Sequence, residues 1–249
     1  MSQTHCYLNG QYQLLRDARV SPLDRAFLFA DAVYEVVPVY GGRPFRLREH
    51  LDRLARSLAA IGMASPLDHP QWSGVCAELI RRNGGGDQTV YLQITRGAEP
   101  GRNHAWPDDL APTIFAYTSP LPPLAPAMLE EGVAAITAQD TRWARRDIKS
   151  TSLLANVMLK KQAVKAGAFE TILLEEGRLT EGSSTTVHVI RGDAIHTPPN
   201  GQDILPGTTR SVVEELAPRI GMQVISAPVS ETELRAAQEI WLAFSTRGV

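Results

Sequence analysis

Apolar residues recur along this chain at two different periods. Val90, Leu92 and Ile94 alternate with Tyr91, Gln93 and Thr95, the two-residue period of a strand with one buried face. Leu51, Leu54, Leu58 and Ile61 share one face at the helical period, which predicts an amphipathic helix over roughly 46–62. Trp72, Val75, Cys76, Leu79 and Ile80 mark a second helix, stopped by Gly84-Gly85-Gly86. Asn9-Gly10 between Tyr7-Leu8 and Gln11-Tyr12 predicts a hairpin, because that dipeptide suits a tight primed turn. Residues 21–25 read as a loop, and 33–40 and 113–118 as strands. Pro38 places its strand at an edge or at a bulge.

Ser119-Pro120-Leu121-Pro122-Pro123-Leu124-Ala125-Pro126 is an extended, stiff connector, since proline recurs through it. It divides the chain into a small N-terminal domain (1–119), a linker (120–127) and a larger C-terminal domain (128–249). Beyond it the pattern predicts a strand at 133–138 and a helix at 152–166. Strands at 171–174 and around Leu179 flank a turn at Glu175-Glu176-Gly177-Arg178. Strands at 185–190 and 194–197 flank another at Arg191-Gly192-Asp193, a triplet best read as a hairpin turn. A helix over 209–220, a strand over 222–227, a short helix over 230–237 and a strand over 239–244 complete the chain. Short strands, hairpins and intervening helices point to a two-domain α+β protein rather than a doubly wound sheet.

Composition narrows this little. The chain has 249 residues, 43% hydrophobic and 21% charged, with a net charge of −2, which gives no electrostatic reason to expect nucleic acid or an anionic membrane. No apolar run has the length of a membrane span, and the N-terminus carries no signal-peptide pattern. Cys6 and Cys76 fit no metal or redox spacing, so a reducing cytoplasm is the simplest location.

Three stretches carry candidate chemistry. Ser150, Thr151 and Ser152 are good N-cap residues, so Lys149 is expected just upstream of a helix start. A cation there faces the positive end of the helix dipole, and Arg145 and Arg146 push the same way against Asp147. An amine so disfavoured as ammonium is a better nucleophile, although the same pattern fits a solvated surface lysine. Leu205-Pro206-Gly207-Thr208-Thr209 leads into a helix and is a plausible phosphate seat, or simply a cap. Glu181, in Thr180-Glu181-Gly182-Ser183-Ser184, could keep a pyridine nitrogen protonated, or be an exposed hairpin acid.

Taken in order, Ser21-Pro22-Leu23-Asp24-Arg25, Val33-Tyr34-Glu35-Val36, Glu49-His50-Leu51-Asp52-Arg53-Leu54, Asp147-Ile148-Lys149-Ser150, the Glu181 segment and Leu205-Pro206-Gly207-Thr208-Thr209-Arg210 closely resemble the class IV, fold-type-IV pyridoxal-phosphate aminotransferases. The resemblance spans essentially the whole chain. It implies a small N-terminal α/β domain, a larger, mainly β C-terminal domain with helices, and pyridoxal 5'-phosphate held between them. By that resemblance Lys149 forms the internal aldimine and shuttles the proton, and Glu181 pairs with the pyridinium. Arg53, Thr208, Thr209 and Ser245 hold the phosphate, Leu205 packs on the ring, and Ser184 helps position it.

The substrate class turns on Thr95-Arg96-Gly97 and the following loop, which carries Arg102-Asn103-His104. The D-amino-acid aminotransferases show a similar Arg-x-His and a tyrosine corresponding to Tyr34. The resemblance therefore implies a trap for the substrate carboxylate made by Tyr34, Arg102, His104 and Thr246, with the loop residues reaching across a homodimer. It implies transamination between a D-amino acid such as D-alanine and a 2-oxo acid such as 2-oxoglutarate. The alternatives are an aminodeoxychorismate-lyase-type enzyme, a branched-chain L-amino-acid or (R)-amine transaminase, and an inactive cofactor-binding homologue. If the loop sets Arg102 out of reach, Arg96 or backbone N–H groups would take the carboxylate instead. The chain departs from the pattern in several places. Ala26, Ala30 and Ala32 stand where relatives commonly have glycine, and Pro38 where many have a longer side chain. The loop before Arg102 is one residue longer, Thr185-Thr186 replaces Ser-Asn, and relatives continue past Val249 through a further strand and helix.

Overall fold

The computed structural model describes residues 3–246 and 248–249. The chain forms two compact units, one running up to Pro122 and including Ile148–Ser152, the other made of Pro123–Asp147 and Leu153–Val249. The sequence division gave all of 128–249 to the second domain. The five residues around Lys149 instead belong to the first unit.

In the first unit, β1 (His5–Leu8) and β2 (Gln11–Leu14) turn at Asn9-Gly10, where both residues take positive φ as a primed turn requires. Then come α1 (Arg25–Phe29), β3 (Ala32–Tyr40), β4 (Arg43–Pro44), α2 (Leu47–Ala60), α3 (His69–Arg82), β5 (Gln88–Thr95) and β6 (Thr113–Pro120). The strands pair in the order β2-β1-β6-β5-β3-β4. Leu51, Leu54 and Leu58 of α2 and Trp72, Val75 and Leu79 of α3 pack against Val33, Val37, Val90, Leu92 and Ile94, which explains both apolar periods. Pro38 pairs with Thr89 in unbroken register and accepts from Phe45 N on its other side. Its missing N–H therefore faces the two-residue edge strand β4, and no bulge is needed.

The stretch read as the loop 21–25 ends in a short helix. Asp24 caps α1, accepting Ala26 N at 2.8 Å, and Ala30 closes it at φ 56°. That left-handed conformation costs an L-residue about 1–2 kcal/mol, a physical reason for glycine at this position in relatives.

The second unit contains α4 (Pro126–Glu130), β7 (Ala135–Gln139), α5 (Leu154–Lys165), β8 (Glu170–Glu175), β9 (Arg178–Gly182), β10 (Thr186–Arg191), β11 (Ala194–Thr197), α6 (Thr208–Leu216), β12 (Gln223–Ser226), α7 (Glu231–Arg235) and β13 (Glu239–Ala243). One sheet runs β7-β8-β9, another β12-β11-β10-β13. Ile172, Leu174 and Leu179 of the first share a core with Val187 and Val189 of the second. The helix predicted over 209–220 is α-helical only to Leu216. Pro218 lies in the tighter 3₁₀ turn that follows, where its missing N–H costs least.

The expected N-cap at 150–152 does not form. Helix α5 starts at Leu154 with Leu153 as an uncapped N-cap residue. Residues 149–151 instead lie along the start of β3: Tyr34 N donates to Lys149 O, Thr151 N donates to Ala32 O, and Ser150 bridges Val33.

Candidate active site

The first unit sets Lys149 against Tyr34. Lys149 Nζ lies 3.4 Å from the Tyr34 hydroxyl and 4.4 Å from its ring centroid, so the ammonium can rest on the π face. Its backbone N–H donates to Ser57 Oγ on α2 at 3.2 Å. Tyr34 in turn stacks on Tyr91, whose hydroxyl donates to Gln93. Lys149 is not at a helix start, since α5 begins at Leu154, so the helix-dipole argument made from the sequence does not apply to it. Arg145 pairs with Asp147, and Arg146 with Glu175.

Arg53 projects from α2 into a buried cluster. Its Nε and Nη2 donate to the two oxygens of Glu35 at 2.7 and 2.8 Å, and His50 Nδ1 lies 2.7 Å from Glu35 Oε2. Burial opposes the Glu35 charge, but the guanidinium and imidazole outweigh it and hold its carboxyl down at about 2. Burial also lowers His50, leaving it neutral beside this pair. The sequence reading missed Glu35 and His50 as partners of Arg53. Their signal was only that both lie in the motifs already quoted.

The second unit places Glu181 on β9, buried. Its Oε1 accepts from Arg142 Nη1 and its Oε2 from Leu205 N at 3.1 Å. Arg142 is shared: Nε and Nη2 grip the two oxygens of Asp140 at 3.0 and 2.7 Å, and Thr180 Oγ1 donates to the same acid. Burial pushes the Glu181 carboxyl up, against the pull of Arg142 and of the Leu205 N–H. Arg142 was not foreseen, since it lies in an irregular stretch with no periodicity.

At the start of α6, the Thr208 and Ser245 hydroxyls lie 3.1 Å apart, and half-buried Thr209 follows. Gly207 leaves room there for Thr186, since a Cβ would lie 2.7 Å from Thr186 Oγ1 and force that side chain to shift. Ser184 is turned to another partner. Its hydroxyl and N–H donate to the buried Glu170, as does the Ser183 hydroxyl. Thr246 is half-buried in a turn after β13, and its neighbour Arg247 lies outside the described residues.

Arg102 and His104 are exposed on the 96–112 loop of the first unit, both against the Phe29 ring, at 4.6 Å for the guanidinium and 5.2 Å for the imidazole. Among the described residues no carboxylate pairs with Arg102, and neither side chain touches Tyr34. Arg96 is committed elsewhere. Its Nε donates to Asp31, its Nη2 to Ile61 O, and its guanidinium lies 3.9 Å from the Trp106 ring centroid. These contacts engage Arg96 within the first unit.

A family described as amino-transferase class IV matches residues 32–249. The chain belongs to the class IV aminotransferases. Among curated relatives of this class IV aminotransferase, a D-alanine aminotransferase of Bacillus licheniformis is 39% identical over 241 residues, 97% of this chain and 84% of that one. Among solved structures, the fold IV transaminase CpuTA1 from Curtobacterium pusillum superposes with a TM-score of 0.84 at 25% identity, covering 98% of this chain and 89% of that one. A hypothetical aminotransferase from Mycobacterium tuberculosis in its PLP-bound form gives 0.84 at 26% identity, covering 97% and 87%. The α+β, fold-type-IV architecture expected from the motifs is thus the observed one.

Proposed function

We propose that this class IV aminotransferase transfers the amino group of a D-amino acid such as D-alanine to a 2-oxo acid such as 2-oxoglutarate, acting as a cytoplasmic homodimer with pyridoxal 5'-phosphate. The observation that carries the reading is the 39% identity to a D-alanine aminotransferase along nearly the whole chain. Among the described residues no helix is long and apolar enough to cross a membrane. Dimerisation is supported by Leu154, Val157, Met158 and Val164, which leave an apolar stripe of α5 exposed.

The donor set fits the cofactor. Among the described residues Glu181 meets one corner of a single guanidinium, that of Arg142, whose other edge holds Asp140, so positive charge at Glu181 is incomplete. A protonated pyridine nitrogen at Glu181 would complete it. The Thr208, Thr209 and Ser245 hydroxyls at the N-terminus of the nine-residue α6 suit a phosphate. Leu205, held by its N–H on Glu181, would give a bound ring an apolar neighbour, and Ser184 orders the adjacent turn through Glu170. When bound, the cofactor supplies an electron sink for breaking the substrate Cα–H bond. Lys149 Nζ would hold the cofactor and then remove and return the proton at Cα, kept in place by the Tyr34 ring. Arg142 would keep Glu181 ionised and aimed. Arg102, His104, Tyr34 and Thr246 would bind the substrate carboxylate.

The test is incubation of cofactor-loaded protein with D-alanine and 2-oxoglutarate. Pyruvate and D-glutamate should appear together, and Lys149→Ala should abolish both their formation and the visible absorbance of the bound cofactor. Amino transfer from branched-chain L-amino acids alone, or pyruvate from aminodeoxychorismate, would assign the site to another class IV reaction. An unreduced rate in Lys149→Ala would remove that lysine from the chemistry.

A further inference from the structure

The Asp24-Arg25 pair lies outside every role assigned so far, yet both side chains are buried. Asp24 Oδ2 accepts from Thr95 Oγ1 at 2.9 Å and from Thr113 Oγ1 at 2.7 Å. Those threonines are the last residue of β5 and the first of β6, so one carboxylate oxygen ties together both stems of the 96–112 loop. Asp24 also bridges Ala98, and Arg25 N donates to Gly97 O at 2.8 Å. Gly97 sits at φ 106° with its α-carbon against the Ala111 carbonyl, where no side chain fits, so the stems close tightly.

Arg25 then reaches into the loop. Its Nη1 donates to the Glu99 carboxylate and, at 2.6 Å, to Asn103 O, while Nη2 donates to His104 O at 3.1 Å. Its Nε donates to Asp31 Oδ2, the same oxygen that accepts from Arg96 Nε, both at 2.8 Å. The two arginines and the two carboxylates balance in charge. A planar fork can meet acceptors on several sides at once in a way that a single ammonium cannot. The carbonyls it holds belong to the two residues that follow Arg102.

We propose that Arg25 is a positioning residue for substrate selection: anchored by Asp31 and Glu99, it fixes the backbone at Asn103 and His104 and so sets where Arg102 and His104 are presented to a substrate carboxylate. This rests on the reading above that these two residues bind that carboxylate. It also accounts for two otherwise unrelated features. The loop is one residue longer than the pattern it resembles, yet its tip is fastened by side-chain to main-chain bonds that do not depend on loop length. And three arginines lie close together on this unit, of which Arg25 and Arg96 are spent on acids and carbonyls while Arg102 is left exposed over Phe29.

The experiment uses the cofactor-loaded protein with Arg25→Lys, which keeps the charge and loses the fork. Amide hydrogen exchange over residues 98–105 should speed up about ten-fold or more, the factor expected for losing a net hydrogen bond of ordinary strength. KM for D-alanine should rise about ten-fold, as for a weakened charge-assisted contact, with kcat changed far less. KM for an amine without a carboxylate should stay near the parent value. In an Arg102→Ala background, which itself should raise the D-alanine KM about ten- to hundred-fold, Arg25→Lys should add much less than it does alone, since only His104 is left to misplace. Glu99→Gln, which leaves Arg25 in place and loosens one anchor, should give a smaller shift of the same kind and covers the case in which Arg25→Lys fails to fold. Unchanged loop exchange, an equal KM rise for both donors, or effects of Arg25→Lys and Arg102→Ala that simply add would each overturn the proposal. If the parent protein does not turn over D-alanine, the functional reading falls, while the exchange rates still decide whether Arg25 holds the loop.

Discussion

Glu35 in the first unit and Glu181 in the second are both buried carboxylates on strands, each in contact with an arginine. Their protonation is driven in opposite directions. Glu35 takes two bonds from Arg53 and one from His50, and is held at about 2 although burial opposes its charge. Glu181 takes only one corner of a guanidinium whose other edge grips Asp140, and burial pushes its carboxyl up. An arginine beside a buried acid therefore says little until one asks how many acids share it. The Glu35 cluster fixes α2 to β3. Glu181 shares its guanidinium with Asp140, and that incomplete pairing suits a protonated ring nitrogen.

The largest way to test this contrast is Glu35→Gln. It replaces the carboxylate that accepts two bonds from the buried Arg53, and breaking a buried pair from one side costs about 3–5 kcal/mol. Urea unfolding at pH 7 should register that loss. The sign with pH follows from the same contacts. A depressed carboxyl stabilises the fold above its unfolded value, near 4.5, and that contribution disappears as pH falls through about 2. A stability loss near zero would mean that Arg53 finds another partner and that the cluster is not structural.

A second buried group extends the comparison to acid. His188 on β10 is fully buried, and neither ring nitrogen has a hydrogen-bond partner among the described residues. Burial, with Arg210 nearby, lowers its imidazole to about 4. Here the unfolded chain takes up the proton first. Stability is therefore complete above about 6.5 and falls between 6.5 and 4, by about 3 kcal/mol if the full shift is expressed. His188→Leu should remove that slope and raise stability at pH 5, read from urea midpoints across pH 4–7. An unchanged slope would assign acid sensitivity to other groups. If the slope is removed, acid loss in the parent has two steps, His188 first and Glu35 well below it.

Local pattern made most of the fold legible and only part of the site. The helix faces of Leu51-Leu54-Leu58 and Trp72-Val75-Leu79, and the alternation at Val90-Leu92-Ile94, depend on neighbours within a few residues, so their elements could be read directly. Lys149 stood out by motif, but its setting did not, because hydroxyl residues at 150–152 look like caps and here bond to the β3 backbone instead. Arg142 was invisible for a related reason: Glu181, which gives it meaning, lies 39 residues further along the chain and meets it only after folding pairs β8 with β7 and β9. Arg25 belonged to a quoted motif, yet its task needs Asp31, Glu99 and the carbonyls at 103 and 104, which no periodicity connects to it.

The smallest expected effect is also the one that separates the two acids most sharply. Glu181→Gln should change the stability of the cofactor-free protein by less than about 1 kcal/mol at pH 7, because Arg142 keeps its grip on Asp140 and no buried charge is orphaned. The sign should be neutral or stabilising. A carboxyl raised in the folded state costs stability as pH rises through and above its value, and glutamine carries no such cost. Adding pyridoxal 5'-phosphate should reverse the order, since a ligand present at a hundred times its Kd stabilises by about 2.7 kcal/mol and the variant would bind it less tightly. Melting curves of both proteins, with and without the cofactor, decide the matter. A crossover marks Glu181 as an acid kept for a cationic ligand. A cofactor-free loss as large as that of Glu35→Gln would mean that the two clusters serve the same structural end, and that the pairing of Glu181 is complete within the fold itself.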